Sequence, residues 1–273
     1  MPELPEVETI RRTLENRVKG SKIDRVLLYW NKSVEGWDGQ KFEDIVEGQR
    51  IESLERRGKY LLITLDGGWS LVAHMRMTGR LVYFPEAQVP DKHTHVVFVL
   101  EAGELHFSDI RKFGRIKAVP TPDRLLHPSL KILGPEPLEE DFTVGYLVLA
   151  LARKKVNLKT ALLDQTVLAG LGNIYVDEAL FLAGLSPERL ANSLSPEEIE
   201  KLHKAIQTVL QAGIDAQGTS FRDYRDANGE KGSFQRELKV YGRAIEPCYT
   251  CGRPLERKRL GGRTTVFCSH CQN

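Results

Sequence analysis

The chain opens Met1-Pro2-Glu3-Leu4-Pro5-Glu6. Removal of the initiator Met, usual before a small residue such as proline, leaves a proline nitrogen as the terminal amine. That nitrogen is a secondary amine. It can attack an electrophilic carbon and collapse to a cationic iminium, an electron sink, while the neighbouring Glu3 carboxyl supplies a proton. A nucleophile and an acid in consecutive residues are what covalent amine catalysis needs. Taken alone, the same residues also suit an ordinary solvated, Glu-rich start.

All four cysteines lie in the last 26 residues, as Cys248-x2-Cys251 and Cys268-x2-Cys271 with 16 residues between the pairs. Two knuckles of that spacing can set four thiolates tetrahedrally around Zn²⁺. Two disulfides are the alternative, which a cytosolic compartment disfavours. A closed four-thiolate site has no open position, so one structural Zn²⁺ is expected rather than a catalytic metal.

Other groups have chemistry to offer. Lys59, in Arg56-Arg57-Gly58-Lys59-Tyr60, enters a strand as a phosphate contact, a proton-transfer group or a solvated strand-edge charge. Arg111-Lys112-Phe113-Gly114 interleaves basic residues with an aromatic, as suits a probe pushed into a base stack. Phe113 at a strand end is equally a core position, as is Met77 beside Thr78-Gly79. Arg263, on Gly261-Gly262-Arg263 between the knuckles, is either the tip of a hairpin or part of a generic charged loop. In Gly170-Leu171-Gly172-Asn173, Asn173 reads as an N-cap with glycines before it, a ready phosphate site. The competing reading is a helical hairpin that simply packs, and Arg153-Lys154-Lys155 upstream favours a nucleic-acid backbone.

Elements must position these groups. Pro5 in the first turn, with Val7, Ile10, Leu14 and Val18 on one face, predicts a helix over 4–18 that would fix the amine. From about 22 to 119 the pattern is β. Strands are expected at 22–30, 60–65, 70–76, 95–100 and 104–107, with turn signals at Asp66-Gly67-Gly68 and Glu101-Ala102-Gly103, suggesting a two-sheet sandwich. A Pro-rich, charged stretch near 121–140 is a linker. Helices follow at 142–153, 158–168 and 174–183. Ser195-Pro196-Glu197-Glu198 is a capping box opening a helix to about 212. Residues 217–232, rich in Gly, Ser and charge, read as a mobile loop.

At 273 residues the chain is long enough for two cores, and 41% hydrophobic with 28% charged is an ordinary globular balance. No signal-like run and no apolar stretch of about 18 residues occurs, so the cytoplasm is the expected location and a membrane is not an expected partner. Net charge is +2, but residues 222–273 carry 11 Lys/Arg against 6 Asp/Glu, and the rest 28 against 31. A basic tail module on a mildly acidic body points to a polyanion.

Six motifs occur together and in order: Pro2-Glu3-Leu4-Pro5-Glu6-Val7-Glu8-Thr9, Arg56-Arg57-Gly58-Lys59-Tyr60-Leu61, Asp109-Ile110-Arg111-Lys112-Phe113-Gly114, Leu133-Gly134-Pro135-Glu136-Pro137, Gly170-Leu171-Gly172-Asn173-Ile174-Tyr175, and the cysteine tail. Over essentially its whole length the chain resembles bacterial formamidopyrimidine-DNA glycosylases, which excise 8-oxoguanine. The resemblance implies an α+β multidomain fold. An N-terminal β-sandwich with its N-terminal helix (1–120) and a linker (121–140) come first. A helix-two-turn-helix domain (141–235) follows, carrying a lesion-covering loop (217–232), and then a four-cysteine zinc finger (236–273), with DNA in the cleft between.

The same resemblance implies roles. Pro2 is the nucleophile on C1′, Glu3 the general acid, Glu6 a supporting carboxylate, and Lys59 a proton-transfer and phosphate-contacting lysine. Met77, Arg111 and Phe113 fill the gap left by the flipped base, Arg111 facing the orphaned cytosine. His93, Lys155, Asn173 and Arg263 bind the DNA backbone, Arg263 also serving the last elimination. His74 and Tyr241 complete the DNA-contact candidates. The loop interior, Arg222-Asp223-Tyr224-Arg225-Asp226, leaves base contacts unassigned. The expected partner is double-stranded DNA carrying oxidised purines, and the expected state is a monomer associated with the nucleoid through that DNA.

Three rival readings share parts of this pattern. The sister endonuclease VIII family removes oxidised pyrimidines with the same architecture, but it typically has Gly where this chain has Leu4. Leu4 and Arg111-Lys112-Phe113 favour the purine enzyme. A non-catalytic zinc-containing DNA-binding regulator leaves Pro2-Glu3 and Lys59 without purpose. An RNA-binding protein would be expected to carry a basic-aromatic stacking sheet.

Overall fold

The computed structural model describes residues 1–221 and 223–273, and forms two compact units: residues 1–131 with 216–235, and residues 132–215 with 236–273. Arg222, within the loop considered above, lies outside the described residues.

The first unit begins with α1 (Leu4–Val18). Its apolar stripe Val7, Ile10, Leu14 and Val18 is fully buried, as the 3.6-residue spacing requires. Strands β1 (Ile23–Leu28), β2 (Val34–Glu35), β3 (Ile51–Arg57), β4 (Tyr60–Leu65), β5 (Trp69–His74), β6 (Gly79–Phe84), β7 (Thr94–Leu100), β8 (Glu104–Asp109) and β9 (Arg115–Pro120) follow, with the short helix α2 (Phe42–Val46) between β2 and β3. They form a four-stranded sheet ordered β1-β7-β8-β6 and a five-stranded sheet ordered β2-β9-β5-β4-β3. All pairings are antiparallel except β2 with β9. Inward residues of both sheets, among them Ile63, Ala73, Ile116, Phe98 and Phe107, join the α1 stripe in one core. This is the expected sandwich. Strands β2, β3, β6 and β9 carry no clear alternation or turn signal, and the pattern did not predict them.

The helical unit contains α4 (Val144–Ala152), α5 (Leu158–Leu163), α6 (Asn173–Ala183), α7 (Pro196–Asp215) and the hairpin β10 (Glu256–Leu260) and β11 (Arg263–Phe267); the one-turn helix α3 (Pro128–Lys131) ends the stretch before it. The Ser195–Glu198 capping box is present, with reciprocal bonds of 2.8 and 3.3 Å. Helix α5 stops at Leu163 rather than 168. The Gln165 side chain takes over there: its Oε1 accepts the Gly170 N–H (3.0 Å) and its Nε2 donates to the Leu171 carbonyl (2.8 Å), folding 164–172 into a compact turn.

The two units divide the chain differently from the expected segments: residues 121–131 fall with the sandwich, and residues 236–273 share a unit with the helices. Residues 216–235 belong to the sandwich unit, not to the helical segment that precedes them. Tyr224 and Ala227 enter the sandwich core. The Ala227 carbonyl accepts the Tyr83 N–H (2.8 Å), and its own N–H donates to the Thr13 hydroxyl (3.2 Å). At its base the loop closes on itself so tightly that a Cβ on Gly232 would lie 2.1 Å from the Gly218 carbonyl oxygen. Tyr224 and Ala227 thus hold the segment to the sandwich. Replacing Tyr224 with Ala is expected to cost about 3–5 kcal/mol of unfolding free energy. A urea titration giving only the roughly 0.5 kcal/mol typical of an exposed loop would show that the segment does not belong to this core.

Candidate functional site

The head of the chain is anchored by a capping box. The Glu6 Oε2 accepts the Glu3 N–H at 2.8 Å. Its other oxygen accepts the Thr219 N–H at 2.7 Å, from the returning segment. Pro2, Glu3 and Glu6 are all buried, the two carboxyls 2% and 1% exposed. Gly218 (φ +83°) passes so close that a Cβ there would lie 2.9 Å from the Glu6 Cγ. The Tyr224 hydroxyl donates to the Glu6 carbonyl (3.3 Å). Burial first, then the Glu6 charge, pushes that phenol well above its ordinary value, so it stays a donor. Three residues singled out for chemistry thus meet at one fixed point.

Lys59 sits at the β3–β4 connection, after Gly58 in the left-handed region (φ +56°), and is 8% exposed. The Arg56 guanidinium donates to the Gly58 carbonyl (3.1 Å) and holds the turn. His74 ends the neighbouring strand, its ring edge-on to Tyr60 at 4.4 Å, and its Nδ1 accepts the Arg76 N–H (2.9 Å). Burial, with the positive charges of Arg76 and Lys59, drives its imidazole down to about 3. His74 is therefore neutral and shapes the turn that carries Met77.

Met77, Arg111 and Phe113 come together at one end of the sandwich. Arg111 stacks over the Phe113 ring (4.8 Å to the centroid), and its Nη1 lies 2.8 Å from the Met77 sulfur. Met77 and Phe113 are 40% and 50% exposed, so neither is a core residue. An apolar, cationic group of this kind, exposed on tight turns, suits insertion rather than packing. His93 lies just before β7, its N–H bonded to the Asp91 carboxylate (2.7 Å).

In the helical unit, Asn173 corrects an expectation. Gly172, not Asn173, is the N-cap, and Asn173 is the first helical residue. Its side chain is thereby free to reach the hairpin, where Nδ2 donates to the Thr264 carbonyl (3.1 Å). Arg263 opens β11 beside the two-glycine turn (φ +54° and +76°) and is exposed. The hairpin reading holds. A buried ion pair, Lys159 to Asp177 at 2.6 Å, lies behind it, and Lys159 also donates to the Thr264 carbonyl (3.3 Å). Asp177 is pushed up by burial against the pull of Lys159. Glu178 accepts the N–H groups of Lys239, Val240 and Tyr241 at 2.8–2.9 Å, fixing the backbone of Tyr241. Lys155 is exposed between α4 and α5. The motifs did not point to Lys159, Asp177 or Glu178. Their one signal is charge on otherwise apolar helix faces, which needs a partner to be interpretable.

The four cysteine sulfurs lie within 4.8 Å of one another. A tetrahedral thiolate site with bonds of about 2.3 Å has edges of about 3.8 Å. The Cys248–Cys271 and Cys251–Cys268 separations are 4.0 and 3.5 Å. Burial, then the neighbouring thiols, pushes Cys271 up to about 12, whereas backbone N–H groups of Cys251 and Thr250 outweigh burial at Cys248 and bring it to about 7. Four thiolates so close repel unless a cation sits among them, so the cluster fits a metal.

A sandwich with an anchored N-terminal helix, a helical pair with a Gly-rich turn and a four-cysteine hairpin are together the parts of a DNA-repair glycosylase. Residues 1–116 match the formamidopyrimidine-DNA glycosylase N-terminal domain, 133–225 the H2TH domain of the same enzymes, and 246–273 the zinc finger found in FPG and IleRS. The formamidopyrimidine-DNA glycosylase of Desulfitobacterium hafniense is 61% identical over 272 residues, covering 100% of both chains. A Lactococcus lactis FPG mutant, solved with DNA containing Fapy-dG, is 38% identical, with a TM-score of 0.93 and 100% of each chain covered. MutM in complex with DNA containing carbocyclic 8-oxo-G is also 38% identical, with a TM-score of 0.91 over 100% of each chain. The chain belongs to the formamidopyrimidine-DNA glycosylase family, enzymes that are DNA glycosylases with AP lyase activity.

His74 makes stability depend on acid. Its folded value of about 3 lies below the unfolded value of about 6.5. The unfolded chain takes up a proton that the folded chain refuses, so this contribution is intact above about pH 6.5 and is lost as the pH falls toward 3. His74→Gln keeps an acceptor but no titrating ring, and is expected to flatten the decline in urea stability between about pH 6.5 and 4. A slope equal to that of the wild type would contradict the assignment.

Proposed function

We propose that this chain is a bifunctional base-excision repair enzyme. It flips an oxidised purine, 8-oxoguanine or a formamidopyrimidine, out of double-stranded DNA, removes it, and cleaves the strand by β,δ-elimination through a Schiff base on Pro2. The observation that carries this is the anchoring of the chain's head: two amides, of Glu3 and Thr219, converge on one buried Glu6 carboxylate. Relatives solved with Fapy-dG and carbocyclic 8-oxo-G DNA support the lesion class.

A stacked base must be extruded before its sugar can be attacked. The neutral Pro2 amine bonds to C1′ as the glycosidic bond breaks, and the alkylated nitrogen gives up its N–H proton, which leaves with the base and restores the nitrogen lone pair. The C1′–O4′ bond then opens, O4′ takes a proton from Glu3, and the nitrogen lone pair forms the iminium. That cation acidifies the C2′ protons. Loss of one expels the 3′ phosphate, a second elimination expels the 5′ phosphate, and hydrolysis releases Pro2. An α-amine of pKa about 7.7–8 is partly neutral at physiological pH, where a lysine at about 10.4 would need a shift of more than about two units.

Glu6 holds the first turn. Lys59 contacts phosphate and moves protons, and Arg263 serves the last elimination. Met77, Arg111 and Phe113 occupy the vacated stack, with Arg111 toward the orphaned cytosine. His93, Lys155, Asn173 and Tyr241 contact the DNA backbone, with His74 shaping the Met77 turn. One Zn²⁺ on Cys248, Cys251, Cys268 and Cys271 holds the hairpin that presents Arg263, and DNA is met by a cytoplasmic monomer.

Borohydride trapping on duplex DNA with 8-oxoguanine opposite cytosine is expected to give an adduct on Pro2, located by mass spectrometry. Any extension before Pro2 should abolish trapping and strand cleavage while leaving DNA binding. Trapping only on thymine glycol DNA would move the chain to the pyrimidine enzymes, and no adduct on either would end the enzyme assignment. Removing the metal with a chelator is expected to unfold the 248–271 hairpin and weaken DNA binding. Full binding by metal-free protein would dissociate that hairpin from the DNA.

A further inference from the structure

We infer that Asp109 is the positioning residue for the stack-filling group, and that it sets the enzyme's choice of the base opposite the lesion. This rests on the proposed assignment of Met77, Arg111 and Phe113 to the vacated stack. Asp109 ends β8 and is 1% exposed. Its carboxylate collects four donors. The Thr78 hydroxyl and the Arg111 N–H (3.1 Å) donate to Oδ1, and the N–H groups of Phe113 (2.8 Å) and Gly114 (2.7 Å) donate to Oδ2. Its main chain ties in a third segment. The Asp109 N–H donates to the His93 carbonyl (2.9 Å), and its carbonyl accepts from Lys112 (3.3 Å) and from the His95 ring (2.7 Å).

One buried residue thus joins three segments: its side chain holds the turn carrying Met77 and the turn carrying Arg111 and Phe113, and its main chain holds the start of β7. Both turns need such a hold. Arg76, beside Met77, and Lys112, between Arg111 and Phe113, have φ of 54° and 59°. Side chains with a Cβ are disfavoured in that left-handed region, and persist there only when their surroundings over-determine them. A carboxylate is acceptor-only, which suits a point where four donors converge. None of its hydrogen bonds reaches α1, so Asp109 governs where Arg111 points without touching the amine chemistry.

Asp109→Asn keeps the shape but swaps one acceptor oxygen for a donor, setting N–H against N–H on one side of the hub. Thr78→Val removes one of the four donors and a 3.2 Å acceptor for the Arg111 N–H, which keeps its bond to Asp109, so it is the milder variant if Asp109→Asn folds poorly. Both are compared with wild type in single-turnover excision of 8-oxoguanine opposite cytosine and opposite adenine, and in cleavage of an abasic site in single-stranded DNA, which has no opposite base to read. Preference for cytosine is expected to fall about tenfold in Asp109→Asn and by less in Thr78→Val, the scale of one charge-assisted hydrogen bond. Abasic cleavage should stay within about twofold of wild type. Unchanged base preference in both variants overturns the inference, as does a proportional loss of both activities, the mark of a merely structural residue. Wild-type protein that excises no purine lesion would instead overturn the functional assignment, and this inference with it.

Discussion

The first residues of a chain are usually its least ordered, and the amine chemistry proposed for Pro2 is useful only if that freedom is removed. Glu6 removes it. A buried carboxylate is costly unless its lone pairs are used. Here they are used by the Glu3 and Thr219 amides, at the N-terminal end of a helix whose partial positive charge favours an anion. The bond to Thr219 requires residues 216–235 to return to the sandwich, and Tyr224 and Ala227 then fill its core. Anchoring the terminus and closing the core are therefore one event.

The device recurs. Glu6, Asp109 and Glu178 are each buried and each accept backbone N–H groups from segments without regular secondary structure. A carboxylate presents two oxygens and no hydrogen, so it gathers donors that no single peptide carbonyl could collect. Two of these hubs carry basic and aromatic side chains on the residues they hold: Arg111 and Phe113 around Asp109, Lys239 and Tyr241 around Glu178. Inward acids organise the loops, and outward bases are left to face a polyanion. The near-neutral net charge conceals this division.

The helical unit uses a different solution where two elements meet. Lys159 and Asp177 pair in full burial, and the lysine also reaches the Thr264 carbonyl. An isolated buried pair contributes little net stability, but breaking one partner is costly. Its structural value is registry: it fixes the hairpin bearing Arg263 against the helix that Asn173 opens.

Much of the proposed chemistry is readable in the sequence because it depends on short spacings. The proline beside Glu3, the two cysteine knuckles and the stripe Val7, Ile10, Leu14, Val18 need only the covalent order and the period of a helix. Strands bounded by Asp-Gly-Gly or Ala-Gly turns were readable for the same reason. Tertiary structure alone decided what depends on distant partners. Asn173 looks like an N-cap, but Gly172 takes that place and the asparagine side chain instead bonds the Thr264 carbonyl, 91 residues on. Residues 217–232 have the composition of a mobile loop, but the Glu6 carboxylate, 213 positions from Thr219, holds that residue, and Tyr224 and Ala227 enter the core. Asp109 stands within a recognisable motif, yet its role appears only when Thr78, Phe113 and Gly114 are seen to share its oxygens. Local pattern determines which elements form and which residues can react. Burial and long-range hydrogen bonding, which no local window contains, determine where those residues are held.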